Sequence, residues 1–196
     1  MISKPQGYDA VRAIEGNGGP RLEPGGYVCR ILRAQEQMSK SSGKPMIVFE
    51  FDINEGTHRG FYTQKYKQAS KTNPTAKWGG VLRQSVSSEY GVSRLKGMIT
   101  AIENSNGGFK FNWDDPQNEK LLAGKLVGVV FGEEEYMYDQ EVKTAVKPFW
   151  MCSVDKIREG VEIPKKKALK PQQDLMGGYL DEDFHLIPEG DDDVPF

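Results

Sequence analysis

Residues Met46–Ile53 constrain the fold of this chain more than any other segment, because large apolar side chains recur at every second position along them. Glu50 and Asp52 fall on one face of an extended chain, and four apolar side chains fall on the other. The apolar residues of this face are Ile47, Phe49, Phe51 and Ile53. A period of two residues predicts a β-strand with one buried face, since successive side chains of a strand point in opposite directions.

Two flanking segments extend this strand into a predicted meander of three antiparallel strands. Tyr27–Ala34 is mostly apolar and predicts a first strand, followed by a polar turn at residues 39–45 that contains Ser, Gly and Pro. Glu55 and Gly56 predict the next turn, after which Phe61–Tyr66 predicts a third strand.

The second half of the body predicts one helix and two further strands. Ser93 is placed to cap a helix that ends at residues 106–108. Its apolar residues at helical spacing are Leu95, Met98, Ile99 and Ile102. Leu121–Phe131 predicts the fourth strand, Gly132–Gln140 an acidic turn, and Glu141–Val154 the fifth strand.

Three strands, a helix and two strands follow one another in the order of an OB-fold, a five-stranded Greek-key barrel. Pro148 interrupts the fifth strand and predicts an edge position or a bulge there, because proline donates no ladder hydrogen bond. Other small β-barrels share this order. We therefore expect a mainly β protein and favour an OB-fold with one helix between strands three and four.

Charge divides the chain into a basic body and an acidic end. Residues 171–196 contain eight carboxylates and no Lys or Arg, whereas residues 1–170 contain 26 basic and 20 acidic residues. A basic body suits a polyanionic partner, and the acidic end can fold back on it as a competitor for the same surface. The predicted organisation is an N-terminal arm (1–24), a binding domain (25–157), a basic-to-neutral linker (158–180) and a disordered acidic tail (181–196).

The chain ends in a short acidic motif closed by an aromatic residue: Asp191, Asp192, Asp193, Val194, Pro195 and Phe196. A pocket can take the ring while basic residues take the terminal carboxylate. This ending resembles the C-terminal tip of bacterial single-stranded DNA-binding proteins, Asp-Asp-Asp-(Ile/Val/Leu)-Pro-Phe. The resemblance implies that these six residues recruit replication, recombination and repair enzymes.

Five stretches of the body carry a second family pattern: Gly25–Ile31, Ser42–Met46, Phe51–Gly56, Ile102–Asn106 and Gly124–Tyr136. They resemble the phage- and prophage-encoded single-stranded DNA-binding proteins of Gram-positive bacteria. The resemblance spans most of residues 25–155 and implies an OB-fold that coats single-stranded DNA without reading its sequence. It assigns no contact to any individual residue.

Binding single strands needs cations along a groove and exposed rings that stack on bases. Such residues are densest between Arg59 and Trp78, and the loop between strands one and two adds two lysines. The predicted DNA-binding residues are Lys40, Lys44, Arg59, Tyr62, Lys65, Tyr66, Lys67, Lys71, Lys77 and Trp78. Strand alternation places Tyr62 and Tyr66 on one face, which lines the groove if Phe61 packs inward. The alternative is that one or both tyrosines cap the core.

Two further charged runs bear on the predicted DNA surface. Glu133–Glu135 lies in the predicted turn, where its side chains would spread into water and count against phosphate contact by Tyr136 and Tyr138. Lys165–Lys167, in the linker, either extends the DNA footprint or pairs with the acidic tail. The sequence does not favour either role.

The chain lacks the motifs of common catalytic sites: no Gly-Lys-Ser/Thr phosphate loop and no Gly-x-Ser-x-Gly elbow occur in it. Its two Cys and two His are too few for a zinc site without carboxylate ligands. We expect no enzyme activity, no cofactor and no metal. Cys29 and Cys152 lie in apolar runs and predict buried free thiols.

No apolar segment suggests export or membrane insertion, so we expect a protein of the bacterial host cytoplasm with no membrane partner. OB-fold proteins that bind DNA often form dimers, so a homodimer is one expectation. No exposed apolar stripe in the sequence indicates where its interface would lie. Two functions remain open. The first is a protein that coats single-stranded DNA and recruits replication and recombination proteins, and the second is a β-barrel adaptor without DNA affinity.

Overall fold

A computed structural model describes Lys4 and residues 21–169 of the 196-residue chain. These residues form five strands and four helices in the order β1 (Gly25–Met38), β2 (Pro45–Ile53), α1 (Phe61–Thr72), β3 (Val81–Ser85), α2 (Glu89–Ser105), α3 (Asn118–Leu121), β4 (Leu126–Tyr138), β5 (Glu141–Cys152) and α4 (Val154–Glu159). The predicted tail and its tip, Asp191–Phe196, lie outside the described residues, as does most of the predicted N-terminal arm.

The strands form one antiparallel sheet in the order β3-β2-β1-β4-β5. Strand β1 is long enough to pair with two neighbours, with β4 through residues 25–30 and with β2 through residues 29–38. Its register with β2 shifts between Ile31 and Arg33, which leaves Leu32 as an extra residue. Such a bulge bends the strand and increases its twist. The mainly β prediction is therefore confirmed, and β3 and β5 are the two edges of the sheet.

The core lies on the face of the sheet that the alternation in β2 predicts. Phe49, Phe51 and Ile53 are buried, and Ile47 packs against them. They meet side chains from β1 and β4, of which Cys29, Ile31, Val127, Val129 and Phe131 are fully buried. Helix α2 adds Leu95, Met98, Ile99 and Ile102 to the same cluster. Each large apolar side chain buried here contributes about 1.5–3 kcal/mol.

The third predicted strand is wrong: Phe61–Tyr66 begins helix α1, and the third strand is Val81–Ser85. The alternation also places Asp52 on the exposed face of its strand, and this expectation is wrong. Asp52 is buried, because α1 packs over it. Its Oδ1 accepts a hydrogen bond from the backbone N–H of Tyr62 (2.9 Å), and its Oδ2 accepts one from the N–H of Thr63 (3.1 Å). Asp52 thus caps α1 from a neighbouring strand, because the first N–H groups of a helix have no partner within it.

Helix α2 begins five residues earlier than predicted. Its N-cap is Ser88 rather than Ser93, and the Ser88 side chain accepts a hydrogen bond from the N–H of Gly91 at 3.1 Å. The predicted end is confirmed, since Asn106 is the C-cap. A Cβ at residue 91 would lie 2.4 Å from the carbonyl oxygen of Ser85, so only glycine lets the helix start this close to β3.

The last two strands form a longer hairpin than the sequence predicts. Strand β4 starts at Leu126 and continues to Tyr138, so most of the predicted acidic turn is strand. The connection is only Asp139 and Gln140, both with positive φ (50° and 61°), as a two-residue type I′ turn requires. Pro148 lies on the edge strand β5, next to a register shift opposite Phe131, which confirms the prediction of an edge or bulge.

The two cysteines are free, and their burial differs from the prediction in one case. Cys29 is buried, whereas Cys152 is only half-buried. Burial raises the pKa of both thiols. Among the described helices, none is long and apolar enough to cross a membrane.

Candidate nucleic-acid interface

Two tyrosines of α1 differ in exposure: Tyr62 lies in the core and Tyr66 lies on the surface. Tyr62 is 6% exposed, and its ring lies 6.0 Å from that of Phe51 and 6.5 Å from that of Phe131. Burial therefore raises its hydroxyl pKa. Tyr66 lies one helical turn later on the same side and is 38% exposed. Tyr62 thus takes the core position that the sequence left as its alternative, and only Tyr66 presents its ring to solvent.

Trp78 holds its indole ring against Tyr66. The two ring centroids are 5.8 Å apart with an interplanar angle of 55°. The indole N–H donates to the carbonyl oxygen of Phe51 at 3.1 Å, which fixes the ring while leaving it half-buried. A Cβ at Gly80 would lie 2.2 Å from that same oxygen, so only glycine lets the backbone at residue 80 lie this close to Phe51. We call Tyr66 and Trp78 the ring pair.

A small cavity beside Trp78 opens at the seam, the gap between the edges of β3 and β5. Its volume is about 110 Å³. Three basic residues line it, each from a different element: Lys77 before β3, Arg83 on β3 and Lys147 on β5. The rest of its lining is Trp78, Gly79, Val81 and Pro148. The cavity therefore combines an aromatic wall with positive charge and contains no carboxylate in its lining.

Arg94 of α2 connects the two sides of this seam. Its Nε donates to the side-chain oxygen of Gln84 on β3 (3.3 Å), and its Nη2 donates to the carbonyl oxygen of Phe149 on β5 (3.1 Å). Among the described residues, β3 and β5 share no ladder of backbone hydrogen bonds, and the Arg94 side chain links their edges.

The segment between Glu55 and Glu89 contains no carboxylate at all. It carries six exposed basic residues: Arg59, Lys65, Lys67, Lys71, Lys77 and Arg83. After its first turn, α1 is polar on nearly every side, and Lys67 and Lys71 lie one turn apart. The structure therefore places a positively charged helix directly beside the ring pair.

Two of the predicted cations lie elsewhere. Lys40 and Lys44 are exposed in the β1–β2 turn, at the opposite end of β2 from Phe51. The six steps along the strand from Pro45 to Phe51 span roughly 20 Å. These lysines therefore do not join the ring pair, although they lie at the other end of the same strands.

The acidic run of β4 is paired with the basic run of the linker, which neither sequence interpretation anticipated. Residues 164–169, here called the basic strap, lie beside β4. Lys167 donates its N–H to the carbonyl oxygen of Glu133 (2.8 Å) and accepts from the N–H of Glu135 (2.9 Å). Ion pairs join Lys166 to Glu135 (2.5 Å) and Lys167 to Glu134 (2.8 Å). The expectation that these carboxylates spread into water is therefore wrong.

This pairing changes the electrostatics of the β4–β5 hairpin tip. Because ammonium groups neutralise Glu134 and Glu135, the charge argument against Tyr136 and Tyr138 loses most of its weight. The ammonium of Lys143 lies 4.3 Å from the centroid of the Tyr138 ring. The tip thus offers a second, smaller combination of ring and cation.

Sequence reasoning missed two basic residues of the seam cavity, Arg83 and Lys147. A signal for Arg83 existed in the sequence, because it directly follows the apolar Leu82 and successive side chains of a strand point in opposite directions. For Lys147 there was none, since its position depends on β5 coming to lie beside β3. In the described part of the chain, no group of three or more His, Cys, Asp and Glu side chains is placed to hold a metal ion.

The comparison with protein families gives one match. Residues 11–91, fewer than half of the chain, match the model of a family described as "Protein of unknown function (DUF669)". The match includes β1, β2, α1 and β3, and so contains the ring pair and the carboxylate-free segment but not Lys147. No curated protein matches the chain. The chain is therefore similar over its N-terminal half to a family whose description names no activity.

Proposed function

We propose that this protein binds single-stranded DNA without sequence preference, with the ring pair as its base platform. The observation that carries the proposal is the exposed Tyr66 ring against a fixed Trp78, beside a cavity lined by Lys77, Arg83 and Lys147. A nucleotide presents a flat apolar base and an anionic phosphate within one unit, and these two groups match a ring next to cations.

The magnitudes support useful affinity from this small surface. Stacking one base on an aromatic ring contributes about 1–3 kcal/mol, and every base has a face that can stack. Each neutralised phosphate releases counterions, so log K falls by roughly 0.7 for each tenfold rise in salt. Two rings and a few of the six cations between Glu55 and Glu89 therefore suffice for binding that tolerates sequence and depends strongly on salt.

The strand order supports an OB-fold, which we propose in an open form. An OB-fold is a partly open Greek-key barrel whose second and third strands, with the loops between strands 1 and 2 and between strands 4 and 5, bind single strands. The order β3-β2-β1-β4-β5 with α2 between β3 and β4 fits such a barrel, opened at the seam that Arg94 bridges. Helix α1 would then be an insertion between the second and third strands.

We further propose that the tip Asp191–Phe196 recruits replication or recombination proteins to the coated strand in the cytoplasm of a bacterial host. This part of the proposal rests on the sequence of the tip and on its similarity to the tips of bacterial single-stranded DNA-binding proteins. In this proposal the basic body binds DNA and the acidic end binds partner proteins.

The test is a titration of the full-length protein with dT oligonucleotides, followed by tryptophan fluorescence and by a second method such as electrophoretic mobility. Binding to single strands that weakens as salt rises, with little response to duplex of equal length, is the expected result. Absence of binding to any oligonucleotide at low salt would reject the proposal and leave the adaptor function in its place.

A further inference from the structure

Arg94 closes one end of the seam cavity. Its guanidinium donates hydrogen bonds to Gln84 and Phe149, one on each edge of the seam. These two residues directly follow members of the cavity lining, Arg83 on β3 and Pro148 on β5. A nucleic-acid strand that entered the cavity could therefore not continue along the seam past Arg94.

The core closes the cavity on a second side. Gly79 lines the cavity, and a Cβ placed on it would lie 3.4 Å from the buried ring of Tyr62. Trp78, another lining residue, is fixed by its hydrogen bond to the carbonyl oxygen of Phe51. An internal phosphate of a strand carries a sugar on both of its sides, so it needs an opening for each. A cavity closed in this way suits a phosphate that carries a sugar on one side only.

The volume and the charge of the seam cavity match a single phosphate group. Its volume of about 110 Å³ is well below the roughly 300 Å³ at which small-molecule sites begin, so a base with its sugar does not fit inside. A phosphate monoester carries a charge of about −1.5 to −2 at pH 7 and three acceptor oxygens. Lys77, Arg83 and Lys147 supply three cations, and the planar fork of Arg83 is suited to hold two of the oxygens. An internal phosphate of a strand carries only one negative charge.

We propose that the seam cavity binds the terminal phosphate of a DNA single strand while the ring pair stacks on the adjoining base. The inference rests on the proposed binding of single-stranded DNA and adds to it a preference for phosphorylated strand ends. Trp78 connects the two parts of the site, because it contacts Tyr66 and also lines the cavity. A terminal nucleotide holds its base and its phosphate one sugar apart, so the two groups can be bound together.

The test uses the full-length protein and three dT oligonucleotides of one length, short enough to bind a single protein. They carry a 5′-phosphate, a 3′-phosphate or a hydroxyl at both ends, and anisotropy of an internal label gives the Kd of each. One phosphorylated form should bind roughly tenfold more tightly than the hydroxyl-ended form, since one hydrogen bond to a charged group has about that effect. The form that does so identifies the end of the strand that enters the cavity. An equal gain for both phosphates would reflect charge attraction alone and would overturn the inference.

Lys147→Gln tests the cavity itself, because Lys147 reaches the cavity from β5 and lies outside the carboxylate-free segment. The preference for the phosphorylated end, measured as the ratio of the two Kd values in the same variant, should be lost. Arg83→Lys keeps the charge without the planar fork and should lose part of the preference. Lys156→Gln removes an equal charge from α4, outside the cavity lining, and should retain it. A preference that survives Lys147→Gln would place the phosphate elsewhere and overturn the inference.

Inorganic phosphate provides a second readout. Compared with sodium chloride at equal ionic strength, it should reduce the preference for the phosphorylated end, because it occupies the cavity without reaching the ring pair. An unchanged preference would count against the cavity as the phosphate site.

The hydroxyl-ended oligonucleotide separates the failure of this inference from the failure of the proposed function. If it binds with the same Kd as both phosphorylated forms, the proposed DNA binding stands and the end preference is overturned. If none of the three oligonucleotides binds at low salt, the proposed function fails and the inference fails with it.

Discussion

The carboxylate of Asp52 on β2 accepts a hydrogen bond from the backbone N–H of Tyr62, ten residues later, and this contact fixes where α1 begins. The same carboxylate also accepts from the N–H and hydroxyl groups of Thr63. Gly60, the N-cap by position, contributes no side chain to this cap. The core ring of Tyr62 and the surface ring of Tyr66 both depend on this start, so one buried acid positions the tyrosine of the ring pair.

Asp52→Ala should lower the free energy of unfolding by about 2–3 kcal/mol, because the cap is lost and buried N–H groups are left without acceptors. Urea denaturation followed by circular dichroism measures this change. Glu50→Ala is the matched control on the same strand, since it removes an acid that makes a surface ion pair with Arg33. Such pairs contribute at most about 1 kcal/mol. Equal losses in the two variants would contradict the capping role.

Gly80→Ala should destabilise the protein by about 1–3 kcal/mol, the usual cost of an atom forced into a packed site. The added Cβ would lie 2.2 Å from the carbonyl oxygen of Phe51, a backbone atom that also holds Trp78. Gly97→Ala is the control, because its Cβ would meet nothing within 4 Å and it lies within helix α2. Alanine there should stabilise by about 0.5–1 kcal/mol. Thermal unfolding of the two variants measures both effects. A stabilised Gly80→Ala protein would show that residue 80 has room for a side chain beside the Phe51 carbonyl oxygen.

Periodicity predicted the strands that form the core, since the alternation in β2 and the apolar run of β4 depend only on neighbouring residues. The prediction failed for Phe61–Tyr66, which follows the predicted turn at Glu55 and Gly56 but shows no clear period of its own. The helix there depends on Asp52, which lies on another element, and this contact has no local signature. The start of α2 was misplaced because Ser88 and Ser93 are both acceptable caps by composition.

The candidate site was predictable to a similar extent. Tyr66 and Trp78 stood out in the sequence as rings among lysines, and the structure brings them into contact. Tyr62 shares a side with Tyr66 through helical rather than strand geometry, and it faces the core. Lys147 could not be predicted, because it reaches the seam only through the order of the strands in the sheet.

Tyr66→Ala should weaken binding to dT oligonucleotides by about 1–3 kcal/mol, or roughly 5- to 150-fold in Kd, if its ring stacks on a base. Fluorescence anisotropy of a labelled oligonucleotide measures the affinity. Trp113→Ala is the matched control, because Trp113 is an aromatic residue that is 60% exposed outside the ring pair and the seam. Equal effects of the two substitutions would mean that the ring pair is not the binding surface.

Replacing Lys67 and Lys71 by Gln should reduce the salt dependence of the same binding, because each cation that contacts a phosphate contributes about 0.7 to the slope of log K against log salt. Loss of both contacts should therefore lower the slope by roughly 1.4. Lys96→Gln, an exposed lysine of α2, removes charge away from the ring pair and controls for the net charge of the body. An unchanged slope in the double variant would place the phosphates elsewhere.

The basic strap should detach from β4 when Glu135 is protonated. The hydrogen bond from Lys166, followed by that from the N–H of Leu169, lowers the pKa of Glu135 from its ordinary value of 4.5. A carboxyl group whose pKa is lower in the folded state stabilises that state above its unfolded pKa and loses this effect as the pH falls through the folded pKa. The strap should thus be bound at pH 7 and above about 4.5, and it should be released progressively below that pH.

The amide resonances of Lys167 and Leu169 report this release, because their N–H groups donate to Glu133 and Glu135. Lys166→Gln should shift the same resonances toward their released positions already at pH 7. Lys165→Gln removes an equal charge one residue earlier and should leave them in place. Resonances that do not change between pH 7 and pH 3.5 would show that backbone pairing with β4, rather than the Lys166–Glu135 ion pair, holds the strap.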